Sequence, residues 1–312
     1  MPIALEAKVM ILLRKKAYDA SKIFAGKILR GYEKVVFFFE DGILLFKEFL
    51  GRNERVIVNR VGLPIIISLT SIPGRLNTLH FTIESLFRQT QRADQVILWL
   101  SEKIDANTLP KRLQKQEKRG LIIKFREDVG PHTKIHHALK EFPESIIVTC
   151  DDDKIYPSDW LTGLYQAHLK ASNCVVCHRA HEITIDEAGS VEAYERWSYL
   201  SPGRVGPSHF LFATGVDGVL YPPSVLHADV LNKELFQKIC PLADDVWLNV
   251  MAILKNTPRK KANPYSRECR STTGVELGGL YVQNYRGGGN DKQMKSVLQH
   301  YGLEKYWSKK PE

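Results

Sequence analysis

Three consecutive carboxylates follow an apolar run near the middle of the chain. Residues 145–153 read SIIVTCDDD, so Asp151, Asp152 and Asp153 come directly after a segment typical of a buried strand. Three adjacent like charges are costly unless a cation shares them, and hard divalent cations bind carboxylate oxygens together with phosphate oxygens. The triplet therefore predicts a site for a metal ion and a phosphorylated ligand. A solvated acidic turn before the next helix is the alternative.

The segments around this triplet alternate between two kinds. From Ile65 onward, the short apolar runs LPIIISLTS, QVILWLS, LIIKFRE and SIIVTC are separated by segments of helical length. Such alternation is typical of a βαβ series with a mostly parallel, buried sheet, and ligands of these sheets bind at the carboxyl ends of the strands. The sequence thus predicts an α/β fold with the acidic triplet at that edge.

The chain divides most simply into an extension and one catalytic domain. Residues 1–60 are predicted to be a basic amphipathic helical extension, and residues 61–312 form the domain, with a nucleotide-binding half at 61–157 and an acceptor half at 158–312. A basic amphipathic helix can lie on an anionic membrane surface. Packing of residues 35–46 on the catalytic domain is the alternative.

Composition limits the environment and the partners. The chain has 44 Lys plus Arg against 35 Asp plus Glu, a net charge of +9 that favours anionic partners. Its five cysteines are scattered and odd in number, which favours a reducing cytoplasm over a disulfide framework. No uncharged stretch reaches the roughly 20 residues of a membrane span. We expect a cytoplasmic protein, peripheral at most on the inner face of the membrane.

The basic stretch after Lys255 lacks interleaved aromatic residues, so nucleic acid is not an expected partner.

Three motifs together resemble one enzyme family. The segments SLTSIPGR, CDDDKIYPSDWL and ADDVWL are similar to those of GT-A fold glycosyltransferases, specifically bacterial family 2-like enzymes of surface polysaccharide (capsule, O-antigen or lipooligosaccharide) biosynthesis, over about residues 64–300. The resemblance implies a GT-A (Rossmann-like) fold with helices on both sides of the sheet. It also implies Mn²⁺ or Mg²⁺ as cofactor, a nucleotide-sugar donor (UDP-sugar by default) and a glycan or lipid-linked glycan acceptor.

The same resemblance implies roles for the residues around the donor. The Asp-x-Asp motif maps to Asp151 and Asp153 as metal ligands, with Asp152 sharing the metal and the donor. The end of the first strand places Thr70 near the base or ribose and Arg75 near the phosphates. The segment REDVGPHTK adds Asp128 and Lys134 as candidates for donor binding.

The pair Asp244-Asp245 matches the place where inverting members of the family keep a general base. A carboxylate there would take the proton of the acceptor hydroxyl during its attack on the anomeric carbon. We favour Asp245 as the base over Asp244. Capping of the helix that starts at this pair is the alternative.

Two glycine-containing segments add further donor-binding candidates. In TGVDGVLYPP, glycines flank Asp217, which suits a tight backbone turn against a sugar whose hydroxyls bind the carboxylate. In NYRGGGNDKQ, backbone N–H groups together with Arg286 can hold phosphate oxygens.

These residues predict a metal-dependent, inverting glycosyltransferase of the hexosyltransferase type. One alternative is a nucleotidyltransferase acting on sugar phosphates, which would need a glycine- and base-rich loop after the first strand. The other is a non-catalytic glycan-binding module on the same fold, which would have no need of Asp244 and Asp245.

Overall fold

The computed structural model describes residues 62–266, 268–272 and 282–307. The predicted N-terminal helical extension, residues 1–60, lies outside this part of the chain, so its membrane contact stays a prediction. Among the described residues, no helix is long and apolar enough to cross a membrane.

The strands form one large sheet and two small ones. The large sheet has seven strands in the order β10-β6-β9-β4-β1-β2-β3, and β5 with β11 and β7 with β8 form two-stranded sheets. The strand bounds are β1 Ile65–Thr70, β2 Gln95–Ser101, β3 Leu121–Arg126, β4 Ile146–Thr149, β5 Lys154–Ile155, β6 Val175–Cys177, β7 Ala180–Glu182, β8 Leu211–Ala213, β9 Val219–Tyr221, β10 Arg259–Lys261 and β11 Arg270–Ser271.

Seven α-helices accompany the strands in the described residues. They are α1 Leu79–Phe87, α2 Lys111–Glu117, α3 Thr133–Glu141, α4 Trp160–Lys170, α5 Lys233–Ile239, α6 Asp244–Leu254 and α7 Gly289–Tyr301. The predicted alternation of strands and helices is confirmed, and with it the α/β class.

Only one strand of the large sheet runs against the others. Strand β9 is antiparallel to both of its neighbours, β4 and β6, whereas the remaining pairs are parallel. The carboxyl ends of β1, β2, β4 and β6 therefore lie on one edge with the start of β9. This edge is where a doubly wound sheet binds its ligands.

The sheet is buried on both faces. In β1, Ile65, Ile67 and Leu69 belong to one hydrophobic cluster, while Ile66 belongs to the other. Because neighbouring strand residues point to opposite faces, an uninterrupted apolar run needs cover on both sides. The helices supply that cover, which explains why these strands read as continuous apolar runs.

Part of the basic stretch after Lys255 lies in the core. Arg259 in β10 is fully buried and donates to the carbonyl oxygens of Leu211 and His209. Lys261 is also fully buried, and its ammonium group donates to the carbonyls of Leu200, Ser201 and Pro264 at 2.7–3.0 Å. These two cations therefore hold the loop before β8 instead of forming a basic surface.

We predict that Lys261→Met destabilises the domain by roughly 2–3 kcal/mol, because the change removes the donor from three carbonyl groups, two of which (Leu200 and Ser201) belong to a tight turn. Urea unfolding followed by circular dichroism measures the loss. The matched control is Lys260→Met at a partly exposed position, expected to stay within about 0.5 kcal/mol of the original protein. Equal effects of the two changes would contradict the role of Lys261.

Candidate active site

A cleft of about 610 Å³ opens at the edge of the sheet where β1, β2 and β4 end. It brings together residues from distant parts of the chain. The predicted site residues that line it are Thr70, Arg75, Asp128, Lys134, Asp151, Asp152, Asp153, Asp244 and Asp245. Two predicted site residues, Asp217 and Arg286, are not among the lining residues.

The backbone of the acidic triplet is fixed by surrounding side chains. The N–H of Asp151 donates to the hydroxyl of buried Tyr156 at 2.9 Å. Thr82 of α1 donates its hydroxyl to the carbonyl of Asp152 at 2.9 Å. The carbonyl of Asp153 accepts from the N–H of Thr272 at 2.8 Å. The turn after β4 therefore holds the three carboxylates in fixed directions.

The carboxylate of Asp152 is already satisfied by protein groups. One oxygen accepts from the hydroxyl of Ser71 at 2.5 Å, and the other accepts from the guanidinium of Arg75 at 2.7 Å. The residue is only 6% exposed. Asp152 thus ties the triplet to the segment after β1, where residues Pro73–Arg75 form a short 3-10 helix.

The carboxylate of Asp153 lies in a less favourable environment. Burial, followed by the like charges of Asp151 and Asp152, raises the pKa of Asp153, and Arg75 at 3.4 Å opposes this only in part. A cation bound next to this carboxylate would relieve the repulsion. Among the described residues, no group of three or more His, Cys, Asp or Glu is arranged to hold a metal ion by itself.

Lys134 connects the triplet with the second acidic pair. Its ammonium group lies 3.0 Å from an oxygen of Asp151 and 3.3 Å from an oxygen of Asp244. Burial opposes the charge of Lys134, but the two carboxylates outweigh it and raise the pKa of the ammonium well above its usual value. The hydroxyl of Ser68 in β1 donates to the carbonyl of Lys134, which fixes the first turn of α3.

The second acidic pair forms the first turn of α6. The N-cap residue is Ala243, so neither side chain takes the capping position that the alternative required. Asp245 accepts from the N–H of Val246 at 2.9 Å, and part of its surface is open to the cleft. Burial and the neighbouring Asp244 raise the pKa of Asp245 to about 7. A carboxylate of this pKa is well matched to a general base near neutral pH.

Two more predicted donor-binding residues face the cleft from strand ends. The hydroxyl of Thr70 donates to the carbonyl of Trp99 at 2.9 Å, so its position is fixed by β2. The exposed carboxylate of Asp128 accepts from the N–H of Gly130 at 2.9 Å and thereby shapes the turn before α3.

Asp217 does not line the cleft, where we expected its carboxylate to bind a sugar. It is fully buried, and one carboxylate oxygen accepts from the N–H of Cys269 at 2.8 Å. Its carbonyl accepts from the indole of Trp160 at 2.6 Å. The following Gly218 has φ of +101°, and a Cβ there would lie 2.5 Å from the Trp160 ring. The turn therefore packs tightly, as predicted, but against Trp160, and its carboxylate joins the segment before β11.

Arg286 also lies away from the cleft lining. It is exposed at the end of the π-helix Val282–Arg286, and α7 begins only three residues later, at Gly289. The glycine run is thus largely the entry to a helix. Its neighbours Asn284, Tyr285 and Asn290 line the cleft instead.

Another set of lining residues follows no pattern that is visible in the sequence. One part of the cleft wall is formed by β7 and the segments on either side of it, through Arg179, His181, Tyr194 and Tyr199. Their spacing is neither helical nor alternating, and the antiparallel bridge between Glu182 and Ser198 places Tyr199 beside β7. We call these four residues the aromatic wall.

The comparisons with known proteins agree with this architecture. Residues 71–211, a little under half of the chain, match the family model described as Glycosyl transferase family 2. The mixed α/β structure, with a seven-stranded and mostly parallel sheet between helices, is consistent with the GT-A fold. Together they support a family 2 domain of GT-A type in this part of the chain. No curated protein matches the sequence.

Three solved structures illustrate the similarity. The mannosyltransferase PcManGT from Pyrobaculum calidifontis, in complex with GDP-Man and Mn²⁺, has a TM-score of 0.47 at 13% identity over 83% of this chain and 72% of that one. Glucosyl-3-phosphoglycerate synthase from Mycobacterium tuberculosis, with Mn²⁺, UDP and glucosyl-3-phosphoglycerate, has a TM-score of 0.44 at 12% identity over 78% and 81%. A cytidylyltransferase from Leptospira borgpetersenii has a TM-score of 0.40 at 13% identity over 79% and 98%.

The raised pKa of Asp245 leads to a prediction about stability. Asp245→Asn keeps the bond from the N–H of Val246 and removes the repulsion from Asp244, so we expect the melting temperature at pH 8 to rise by roughly 2–4 °C. Differential scanning calorimetry measures this shift. The difference should shrink as the pH falls below about 7 and disappear only below the unfolded-state value of 3.8, where Asp245 is protonated in both states. A lower melting temperature of the variant at pH 8 would contradict the assignment.

Proposed function

We propose that this protein is a metal-dependent glycosyltransferase that moves a sugar from a nucleoside diphosphate donor, UDP by default, to a hydroxyl of a glycan or lipid-linked glycan. The observation that carries the proposal is the meeting of two acidic sites in one cleft. The triplet after β4 and the pair at the start of α6 face the same space and share the ammonium group of Lys134. Such a pair of sites suits a reaction with a diphosphate leaving group and a hydroxyl nucleophile.

The donor binds, in this proposal, along the ends of β1 and β2. Arg75 and Lys134 supply positive charge for the diphosphate oxygens, and Thr70 and Asp128 lie where a base or ribose can bind. Asp152 acts on the donor indirectly, because it positions Arg75. Asp217 and Arg286 are proposed to act only through the segments they belong to, since neither lines the cleft.

Mn²⁺ or Mg²⁺ fits the residues present if the donor completes its coordination. Asp153 and Asp151 are the proposed ligands, because both carboxylate oxygens of Asp152 accept hydrogen bonds from protein groups and the charge of Asp153 is destabilised by its neighbours. Such ions commonly bind through one or two carboxylates plus substrate phosphates, so a cage of protein ligands is not required. When bound, the ion would stabilise the charge that grows on the departing diphosphate.

The proposed base is Asp245. Its carboxylate takes the proton of the acceptor hydroxyl while the hydroxyl oxygen forms a bond to the anomeric carbon. The bond from that carbon to the diphosphate oxygen breaks on the opposite side, so the configuration is inverted. Asp244 positions Lys134, and Lys134 offsets the negative charge between the two acidic sites.

The biological setting is part of the same proposal. We infer a role in bacterial surface polysaccharide biosynthesis, in the cytoplasm, with the basic N-terminal segment as a contact to the inner face of the membrane. The net charge of +9 supports an anionic partner. A nucleotidyltransferase is less well supported, because the segment from Ser68 to Arg75 contains only one glycine and one arginine with which to bind a triphosphate.

Calorimetric titration with UDP, GDP and CDP, and with CTP and UTP for comparison, each with and without Mn²⁺, tests the donor site. We expect one nucleotide to bind more tightly with the metal, and Asp153→Asn to weaken that binding by roughly tenfold or more, equivalent to about 1.4 kcal/mol. Glu187→Gln, at an exposed position, serves as control and should leave binding unchanged. The proposal fails if no nucleotide shows metal-dependent binding. Preferred binding of CTP or UTP would instead favour the nucleotidyltransferase.

The pH dependence of transfer tests the base. Since Asp245 must be ionised to accept a proton and has a pKa of about 7, kcat/KM should rise with pH up to about 7 and then level off. Asp245→Asn should lower kcat by about a hundredfold or more and remove this limb, with nucleotide binding retained. Asp245 is not the general base if the variant keeps the same activity and pH profile.

A further inference from the structure

The aromatic wall contains a cation whose partner is absent from the described residues. Three cationic side chains line the cleft, and two of them, Arg75 and Lys134, are paired with carboxylates. Arg179 forms no ion pair within the described part of the chain; one of its terminal nitrogens donates to the hydroxyl of Tyr199 at 2.9 Å. Its Nε is buried and has no hydrogen-bond partner. A partly enclosed guanidinium with this environment is suited to an anionic ligand.

Aromatic side chains pack around Arg179. The guanidinium lies 5.5 Å from the centre of the Tyr199 ring, and that ring stacks on His181 at 4.9 Å. The Nδ1 atom of His181 accepts from the N–H of Leu200, and burial and Arg179 lower the pKa of His181 to about 3. Arg179 is therefore the one charge of the aromatic wall near neutral pH.

The aromatic wall also offers surfaces for a sugar ring. Tyr199 is 54% exposed, so part of its side chain is open to a ligand. Asn290 lines the same cleft and is only 7% exposed, and its side-chain oxygen has no hydrogen-bond partner. A ligand hydroxyl would satisfy this oxygen, because a buried polar atom without a partner is unfavourable.

The position of the aromatic wall relative to Asp245 indicates that the wall binds the acceptor. Burial, and after it the charge of Asp245, raise the pKa of the Tyr194 hydroxyl, and Arg179 acts on the same hydroxyl. Tyr194 and Arg179 also line the same cleft as Asp245, so the aromatic wall and the proposed base face one space. The acceptor hydroxyl must reach the base, so the sugar that carries it lies against this wall.

We propose that the aromatic wall is an acceptor subsite for an acidic sugar, in which Arg179 binds a carboxylate or phosphate group, Tyr199 contacts the ring and Asn290 accepts a hydroxyl hydrogen bond. The inference rests on the proposed function, because the base assigns this wall to the acceptor. It adds the chemical class of the acceptor, which the glycosyltransferase reaction alone leaves open.

Ligand-detected NMR titrations in the presence of UDP and Mn²⁺ test the subsite. The probes are methyl β-D-glucuronide, glucose 6-phosphate and the neutral methyl β-D-glucoside. We expect at least one acidic probe to bind about tenfold or more tightly than the neutral one, with a difference that shrinks as salt is added. The tighter acidic probe identifies the carboxylate or the phosphate as the recognised group.

Three variants locate the effect. Arg179→Gln should remove the preference for acidic probes, and Arg179→Lys should retain part of it, since an ammonium keeps the charge without the planar fork. Arg196→Gln is the matched control, because that side chain is 73% exposed on the same segment, and it should bind all probes as the original protein does.

Distinct results would overturn the inference. Equal binding of acidic and neutral probes, or a preference that survives Arg179→Gln, would contradict the subsite. A loss of UDP binding in Arg179→Gln would show that Arg179 serves the donor instead. If the original protein binds no nucleotide with metal yet prefers acidic probes through Arg179, the proposed function fails and the acidic-sugar site stands.

Discussion

The architecture of the cleft depends on one buried ammonium group. Lys134 lies between Asp151, which follows β4, and Asp244, which starts α6, two positions separated by more than ninety residues. Removing one partner of a buried ion pair typically costs about 3–5 kcal/mol, because a charge is then left uncompensated. The two acidic parts of the site are therefore held at a fixed separation. Since Ser68 anchors the carbonyl of Lys134, that separation is set by the central strand β1.

The three adjacent aspartates differ because their surroundings differ. Asp152 is satisfied by Ser71 and Arg75, and Asp151 is paired with Lys134, so both have protein partners. Asp153 lies near the like charges of Asp151 and Asp152, and the guanidinium of Arg75 at 3.4 Å, which it shares with Asp152, offsets them only in part. This arrangement concentrates the unfavourable electrostatics of the triplet on one carboxylate. A cation that binds at Asp153 reduces the repulsion among the three carboxylates, and this makes cation binding more favourable.

Local sequence patterns predicted the fold and the acidic residues of the cleft but not the rest of its wall. Apolar runs report burial on both faces of a strand, and topology then places the residue after β4 at the ligand edge. Asp217 is an example of a residue whose role local patterns do not predict. Its flanking glycines indicate a tight turn, but the direction of its carboxylate depends on the packing of that turn against Trp160. The aromatic wall depends on the bridge between Glu182 and Ser198, for which the chain has no short-range signal.

The two sides of the cleft are held by different kinds of interaction. Around the proposed donor site, the lining residues are fixed by pairs of opposite charges, which respond to bound ions and to pH. The loop that carries Tyr199 is instead held by Lys261, which bonds to neutral carbonyl groups at Leu200 and Ser201. Both of these residues have positive φ, so the turn after Tyr199 is strained and requires such support. A ring surface maintained in this way keeps its shape while the charges across the cleft change during a reaction cycle.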